Sequence, residues 1–572
     1  MKAVNTPEQL TELVRSRFVK AGIQPRDVSV RNYPGETIIV VEVPAPLDQA
    51  SDVAKSIDAE LARQEIRGFV TVRAAGPASG RADRRLVDGV KDSRAMKLAD
   101  LITARARTSL PQPSLHYIPD AGDNVRRATT QRHHLIFGRR GAGKTALMLE
   151  TKRRVEEERA ASVWFNVQTY RDYPAATAFV WISRYICRSM LARADSLPEL
   201  SEVQKLADDL SGWINDRKGD AGRFKPRLNG ILKRSLSAAL PRLYIFVDDL
   251  HYLNRKEQPL FLDMLHGAVR DCDVWLKVAG VRHLCRWFQT NPPVGLQAGQ
   301  DADEIDLDVT LEEPGRAKRF LEQLLDSYAK HVKIPSRTAI FSPSALDRLL
   351  LAAGAVPRDF LMLSAASIRQ ARERDGRKVG VQDVSNAAGE AGRRKISELE
   401  EDAVAAREVA GLVLDALERI RAFCVNNSQY TYFRIDSRDR EARPNHYEIV
   451  QQLMDSRLIH LIESSLSDQH RAGTRSEVYM LDVSEFSGQR FRKGIRVLEF
   501  RGEDMVLRRT GITEELRRAS TPRQRLDILR LAPLFQLNLL DVAPKAATAH
   551  GTNPDGGSRD EYTPATIPAS GR

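Results

Sequence analysis

Apolar and polar positions alternate along this chain with two different periods, and the switches between them mark its elements. Leu10, Leu13, Val14 and Phe18 recur at helical spacing, as do Val53, Ile57 and Leu61. Val28 to Arg31 and Thr37 to Val43 read as a hairpin across Pro34-Gly35, and Phe69 to Val72 reads as a third strand. Residues 1–73 are therefore expected to form a small α+β module in the order helix, strand, strand, helix, strand. Residues 74–114 read as a linker (Ala74 to Gly80) followed by a basic helical connector from Arg81 to Arg107.

A different pattern begins near Leu115. Short, continuous apolar runs recur between helical stretches: His133 to Phe137, Val163 to Val167, Leu243 to Val247 and Val274 to Gly280, with a fifth run at Glu304 to Val309. Strands covered on both faces read this way, so residues 115–310 predict an α/β core with a parallel sheet. Ser342-Pro343 announces a helix with Leu346, Leu349 and Leu350 on one face, within a helical lid over 311–395. Residues 396–541 read as helix (Val409 to Ile420), strand (Thr431 to Ile435), helix (Tyr447 to Met454) and two strands (Leu458 to Ile462, Glu477 to Leu481) around a loop over 464–476. Residues 542–572 are rich in Ala, Thr, Gly, Pro and Ser, the composition of a disordered tail.

The first run ends in Gly138-Arg139-Arg140-Gly141-Ala142-Gly143-Lys144-Thr145, which fits the Walker A phosphate loop G-x-x-x-x-G-K-[ST] in its strand–loop–helix setting. Gly141 and Gly143 let backbone N–H groups turn toward phosphate oxygens at a helix N-terminus. Lys144 would neutralise the β- and γ-phosphates, and Thr145 would ligate Mg²⁺. ATP and Mg²⁺ are the expected cofactors. The third run ends in Asp248-Asp249, a Walker B pattern: Asp248 holds Mg²⁺, and Asp249 either orients the attacking water or merely supports Asp248. Arg282, beyond the fourth run, is either a phosphate sensor at the carboxyl end of the sheet or a surface arginine on a loop. Arg286 is a weaker candidate.

GRRGAGKT, LYIFVDDLH, KVAGVRH and GAVPRDFL together make the region from about Leu115 to Ala388 resemble the AAA+ ATPases of the origin-recognition/Cdc6 and bacterial STAND-like group. The resemblance implies that Arg358, in Gly354-Ala355-Val356-Pro357-Arg358, is the lid arginine that contacts the γ-phosphate. It also implies that the unit after the lid is a winged helix, with His470, Arg471, Gly473 and Arg475 in the wing and the preceding helix in a DNA major groove. That helix offers few cations, Arg443 at its start and Arg457 at its end, and many winged helices bind protein instead. Two departures stand out. The Walker B pair is Asp-Asp where AAA+ enzymes usually carry Asp-Glu, which fits slow hydrolysis or a nucleotide-held switch. No arginine-finger box stands between the fourth and fifth runs, so ring or filament geometry stays open.

Composition narrows the partners. The net charge of +12 favours a polyanion such as DNA but fits a solvated basic surface equally well. The cations Arg217, Lys218, Arg223, Lys225, Arg227, Lys233 and Arg234 carry the same two readings, while Arg501 to Arg518 reads as a solvated surface. Cys187, Cys272, Cys285 and Cys424 lack metal or disulfide spacing, no apolar run is long enough for a membrane span, and Glu8 and Glu12 interrupt any signal-peptide core. The expectation is a cytoplasmic ATP hydrolase, without a membrane partner, acting as a DNA-associated switch or remodeller. The alternative is a STAND-like signalling or defence ATPase that forms a homo-oligomer or regulates a partner protein.

Overall fold

The computed structural model describes residues 7–541 apart from 34–35, 44–46, 64–65, 67, 75–87, 114, 116, 120–121, 193–199, 239–241, 403–406, 469–472, 489–490 and 513. Most of the expected linker, the hairpin turn Pro34-Gly35, the wing residues His470 and Arg471, and the tail lie outside the described residues. The chain divides into two units, Met1–Leu86 and Val87–Arg572. Among the described residues no helix is long and apolar enough to cross a membrane.

The first unit follows the expected order. It comprises α1 (Pro7–Lys20), β1 (Asp27–Tyr33), β2 (Glu36–Val43), α2 (Asp48–Arg63) and β3 (Gly68–Ala74). β2 is central, antiparallel to β1 and parallel to β3. The helical stripe Leu10, Val14 and Phe18 and its counterpart Ile57 and Leu61 bury against Ile39, Val41 and Val70.

The second unit opens with α3 (Ser93–Ala104), capped by the Asp92 side chain, and the short α4 (Asn124–Thr129). A five-stranded parallel sheet follows, built from β4 (His133–Phe137), β5 (Ala161–Asn166), β6 (Leu243–Asp248), β7 (Val274–Gly280) and β10 (Ala302–Asp306) in the order β10-β4-β7-β6-β5. α5 (Lys144–Glu157), α6 (Ala175–Leu191), α7 (Leu200–Asp216), α8 (Phe224–Ala238) and α9 (Gln258–Val269) connect these strands, and β8 (Phe288–Thr290) pairs with β9 (Pro293–Gly295) as a separate ribbon. The continuous apolar runs are the strands, because β6 is buried at every position. β10 stops three residues short of the expected Val309. The Asp306 side chain accepts the Asp308 N–H at 2.9 Å and turns the chain out of the sheet.

α10 (Pro314–His331), α11 (Pro343–Ala352), α12 (Pro357–Glu373) and α13 (Val381–Asp402) form the helical lid. α3, read from sequence as a connector, packs on α12 and α10 and adds Leu98 and Ile102 to the lid core. Ser342 caps α11 by accepting the Ala345 N–H at 3.2 Å. The lid core does not end with α13. It runs on through α14 (Arg407–Arg421), β11 (Tyr432–Asp436), α15 (Ser437–Ala442), α16 (Pro444–Asp455), β12 (Ile459–Ser467) and β13 (Arg475–Leu481) as one apolar cluster. The sheet order β11-β13-β12, with α16 before β12, is compatible with a winged-helix-like unit. A second antiparallel sheet follows, β14 (Arg496–Arg501), β15 (Asp504–Arg509) and β16 (Glu515–Ala519), closed by α17 (Pro522–Leu529). The sequence pattern did not separate it from a charged surface, because arginines interrupt its apolar positions.

Lid and C-terminal unit meet at Gly354. Its φ is +54°, and a Cβ there would lie 2.0 Å from Nδ1 of the His460 ring. Gly354→Ala is expected to cost about 3 kcal/mol through overpacking and backbone strain. A lowered urea midpoint would register the loss, and an unchanged midpoint would mean that the junction yields freely.

Candidate nucleotide site

β4 delivers the loop 138–145 to the carboxyl edge of the sheet, and β6 delivers Asp248 beside it. Gly141 (φ +88°) and Gly143 (φ +105°) adopt left-handed backbone conformations that favour glycine, so the loop curls back and α5 starts at Lys144. Lys144 is buried. Its Nζ donates to the carbonyls of Gly138 at 2.7 Å and Arg139 at 3.2 Å. Burial lowers its pKa, opposed by Asp249, Asp308 and Asp248. Ala142 closes the turn by donating its N–H to the Arg139 carbonyl at 3.1 Å.

Thr145 Oγ1 donates to Asp248 Oδ2 at 2.9 Å. The other oxygen, Asp248 Oδ1, is buried without a hydrogen-bond partner. Burial first, and then the neighbouring Asp249, push the Asp248 carboxyl up to about 7. An orphaned carboxylate oxygen next to a threonine hydroxyl, at the mouth of a phosphate loop, fits Mg²⁺. Among the described residues no three His, Cys, Asp or Glu side chains gather as a metal site. Asp249 has a left-handed backbone (φ +61°), tolerated best by Asp and Asn. Burial raises its pKa, opposed by the positive charges of Lys144, Arg107 and Arg140.

Arg139 sits at a variable position of the motif, yet it is only 3% exposed. Its N–H donates to Asp308 Oδ1 at 2.7 Å. Its guanidinium reaches Asp308 at 3.3 Å, the Val309 carbonyl at 2.8 Å and the lid carbonyl of Gly354 at 3.3 Å. Its side chain thus ties the loop to the lid. Arg358, at the first turn of α12, lies over the loop from the other side. Its N–H donates to the Gly141 carbonyl at 3.3 Å, and a Cβ on Gly141 would meet its Cβ at 2.8 Å.

Arg282 lies beside the residue that precedes the loop. Its guanidinium pairs with Glu304 at 2.9 Å and Asp306 at 3.4 Å and lies over the Phe137 ring. None of these partners is Lys144, Asp248 or Asp249. Arg286 donates its backbone N–H to buried Gln258. Four of the seven cations of the α7–α8 region are paired with carboxylates: Lys225 with Asp263, Arg227 with Asp209, Lys233 with Asp271 and Arg234 with Glu202. Three residues near the site carried no sequence signal. The positive charge of Arg107, on the supposed connector, acts on Asp249, Asn166 is the β5 residue opposite Asp248, and buried Cys285 lies close enough to interact with Lys144.

Behind Gly354 lies a buried polar junction. His460 Nε2 and Lys395 Nζ each reach Asp482 Oδ2 at 2.8 Å. Lys395 also donates to the Arg457 carbonyl at 3.0 Å, and Arg457 pairs with Asp359, next to Arg358, at 2.7 Å. Burial alone would raise the Asp482 carboxyl, but Lys395 and His460 hold it well below the carboxylate range. α16 is packed too. It lies against Arg282–Leu284 and Leu537–Leu540, and its Glu448 pairs with Arg255 at 2.8 Å.

Residues 118–278 match the family described as AAA ATPase domain. No curated protein matches the chain. Among solved structures, the ORC1 protein of Aeropyrum pernix in complex with DNA is similar at 14% identity, covering 65% of this chain and 91% of that one, with a TM-score of 0.35. The Walker-type ATPase of Pyrococcus abyssi is similar at 12% identity over 65% of this chain and 98% of that one (TM-score 0.36). Cdc6p of Pyrobaculum aerophilum is similar at 13% identity over 65% and 93% (TM-score 0.29).

Lys144→Ala is expected to weaken ATP binding at least tenfold, whereas Asp248→Asn should spare metal-free ATP and lose the gain that Mg²⁺ provides. Calorimetric titration with and without Mg²⁺ separates the two, and equal Mg²⁺ gains in wild type and Asp248→Asn would remove Asp248 from the metal site. The depressed Asp482 carboxyl stabilises the fold above its unfolded value of about 4, and this contribution is lost as pH falls through the lower folded value. Asp482→Asn should therefore flatten the acid limb of the stability curve below about pH 4.

Proposed function

We propose that this chain, whose residues 118–278 form an AAA ATPase domain, binds and hydrolyses ATP with Mg²⁺ and uses nucleotide occupancy to reposition its lid and C-terminal unit on DNA. The clasp of Arg139 on Gly354 and of Arg358 on Gly141 carries this reading, because any shift of the phosphate loop must move the lid. In it Lys144 and the loop N–H groups bind phosphates, and Thr145 and Asp248 hold Mg²⁺. The cation would neutralise developing phosphate charge. Asp249 orients water, and Arg358 meets the γ-phosphate when the lid closes. Arg282 acts through its ion pairs with β10. The four cysteines are free, in keeping with a reducing cytoplasm.

A second reading is a switch ATPase with a protein partner, as homo-oligomer or regulator. The Asp248-Asp249 pair and the packed face of α16 favour it. Steady-state hydrolysis by wild type and Lys144→Ala, with and without duplex DNA at two salt concentrations, decides between them. The DNA reading expects a stimulated, salt-sensitive rate that vanishes in the variant. A slow rate blind to DNA would reject it in favour of the switch. Arg457→Met should retain ATP binding yet lose any nucleotide-dependent change in hydrogen exchange at α16. A retained change would remove the junction from the coupling path.

A further inference from the structure

The DNA-associated reading leaves open which surface would meet the nucleic acid. The expected one, α16, is partly occupied, since it packs against Arg282–Leu284 and Leu537–Leu540. Of the seven α7–α8 cations, four are paired with carboxylates, and Arg217 and Arg223 lie over the Tyr173 and Phe224 rings. The C-terminal sheet differs from both.

Arg496 and Arg509 stand directly opposite each other across β14 and β15, and Arg517 lies on the same face, opposite Leu507 on β16. Like charges so placed repel. Among the described residues, Arg496, Arg509, Arg517 and the neighbouring Lys493 make no ion pair, although Arg496 and Arg509 are half-buried and the Arg496 guanidinium lies over the Tyr430 ring, while the exposed Arg492 bonds the neutral Asn426 side chain. The remaining arginines of the same sheet are matched: Arg501 by Glu515, Arg508 by Glu499 and Arg518 by Asp504. Glu514 is exposed near this corner and offsets one charge of five. The segment that carries Arg492 and Lys493 is fixed in place. Gly494 donates to the Thr510 carbonyl at 2.9 Å, and Thr510 Oγ1 accepts the Ile495 N–H at 3.1 Å and donates to the Arg492 carbonyl. Two large apolar side chains, Phe491 at 53% and Ile512 at 47% exposure, stand beside these cations.

We infer that duplex DNA docks on this corner, with Arg492, Lys493, Arg496, Arg509 and Arg517 facing phosphates and Phe491 against the sugar and base edges of the minor groove. The inference rests on the DNA-associated reading. Concentrated, unneutralised cations match a phosphate backbone, and an exposed apolar tip among them suits a groove wall. An acidic protein surface would also satisfy the charges and could bury Phe491, and the peptide arm of the test separates it from duplex DNA.

The test is fluorescence anisotropy of a short labelled duplex against the full chain over a range of salt. Arg492→Ala/Lys493→Ala should weaken binding tenfold or more and reduce the slope of log affinity against log salt by about 2. Phe491→Ala should weaken binding with the slope unchanged. Gln451→Glu on α16 should leave both intact. Thermal unfolding at the wild-type midpoint shows that the variants are folded. Wild-type binding with full affinity and slope in the double variant overturns this surface while leaving the DNA reading standing, and so does loss of binding in Gln451→Glu alone. Tighter binding of single-stranded DNA or of an acidic peptide than of duplex overturns the choice of occupant. A wild type that binds no duplex even at low salt overturns the DNA reading itself.

Discussion

A buried guanidinium governs how this ATPase core meets the rest of its chain. A charge as enclosed as that of Arg139 is tolerable only when its donors are matched, and its partners come from two places: Asp308 and Val309 beyond β10, and Gly354 in the lid. Breaking the lid contact leaves a guanidinium donor unpaired in a closed space, which is far worse than losing a surface bond. The same residue offers its carbonyl to Lys144. The conformation of the phosphate loop is therefore set both by the lysine that would hold phosphate and by the lid that would respond to it. Arg358 closes the circuit by resting on Gly141, whose missing Cβ makes the approach possible.

Beyond the lid, rigidity comes from shared apolar packing as much as from polar bonds. One cluster runs from Val90 and α3 through the four lid helices to Leu540, whereas the sheet of the ATPase core keeps its own two clusters. A continuous core resists internal sliding, because interiors are packed like crystals and move between discrete arrangements. The junction of Asp359, Lys395, Arg457, His460 and Asp482 crosses the same seam and fixes its register. Each of its charges is paired with an opposite one, as a buried network requires.

The core was readable in sequence because its physics is local. Doubly covered strands must be continuous apolar runs, and the phosphate loop must place glycines at fixed offsets, so β4, β6, β7 and the residues from Gly138 to Thr145 could be identified from one chain. Arg139 was legible as a motif residue, but its burial was not, since the partners lie more than 160 residues away. The pairing of four α7–α8 cations was hidden for the same reason: their carboxylates arrive from separate segments. The sheet β14–β16 hid behind its arginines, which sit where a solvent-facing surface would also place them. Lys277 is the converse case. It lies mid-strand in β7, fully buried, with Nζ bonded to the Thr130 and Arg132 carbonyls, and the apolar run around it indicated a covered strand but not these distant partners.

These two bodies, the ATPase sheet and the lid with its C-terminal unit, touch through few polar contacts, and this determines where motion can occur. The clasp at Gly141 and Gly354 lies at the phosphates. Two further contacts are α16 against Arg282–Leu284, supported by the Arg255–Glu448 pair, and Arg107, just after α3, bonded to Gln168. Arg255 and Glu448 are both about half exposed, so their pair is worth little and opens readily. The Arg139 clasp is buried and does not. A rotation driven at the phosphate loop would therefore pivot near the clasp and open first at α16. The buried clasp and the exposed pair thus hold the two bodies with unequal strength, firmly at the phosphate loop and weakly at α16.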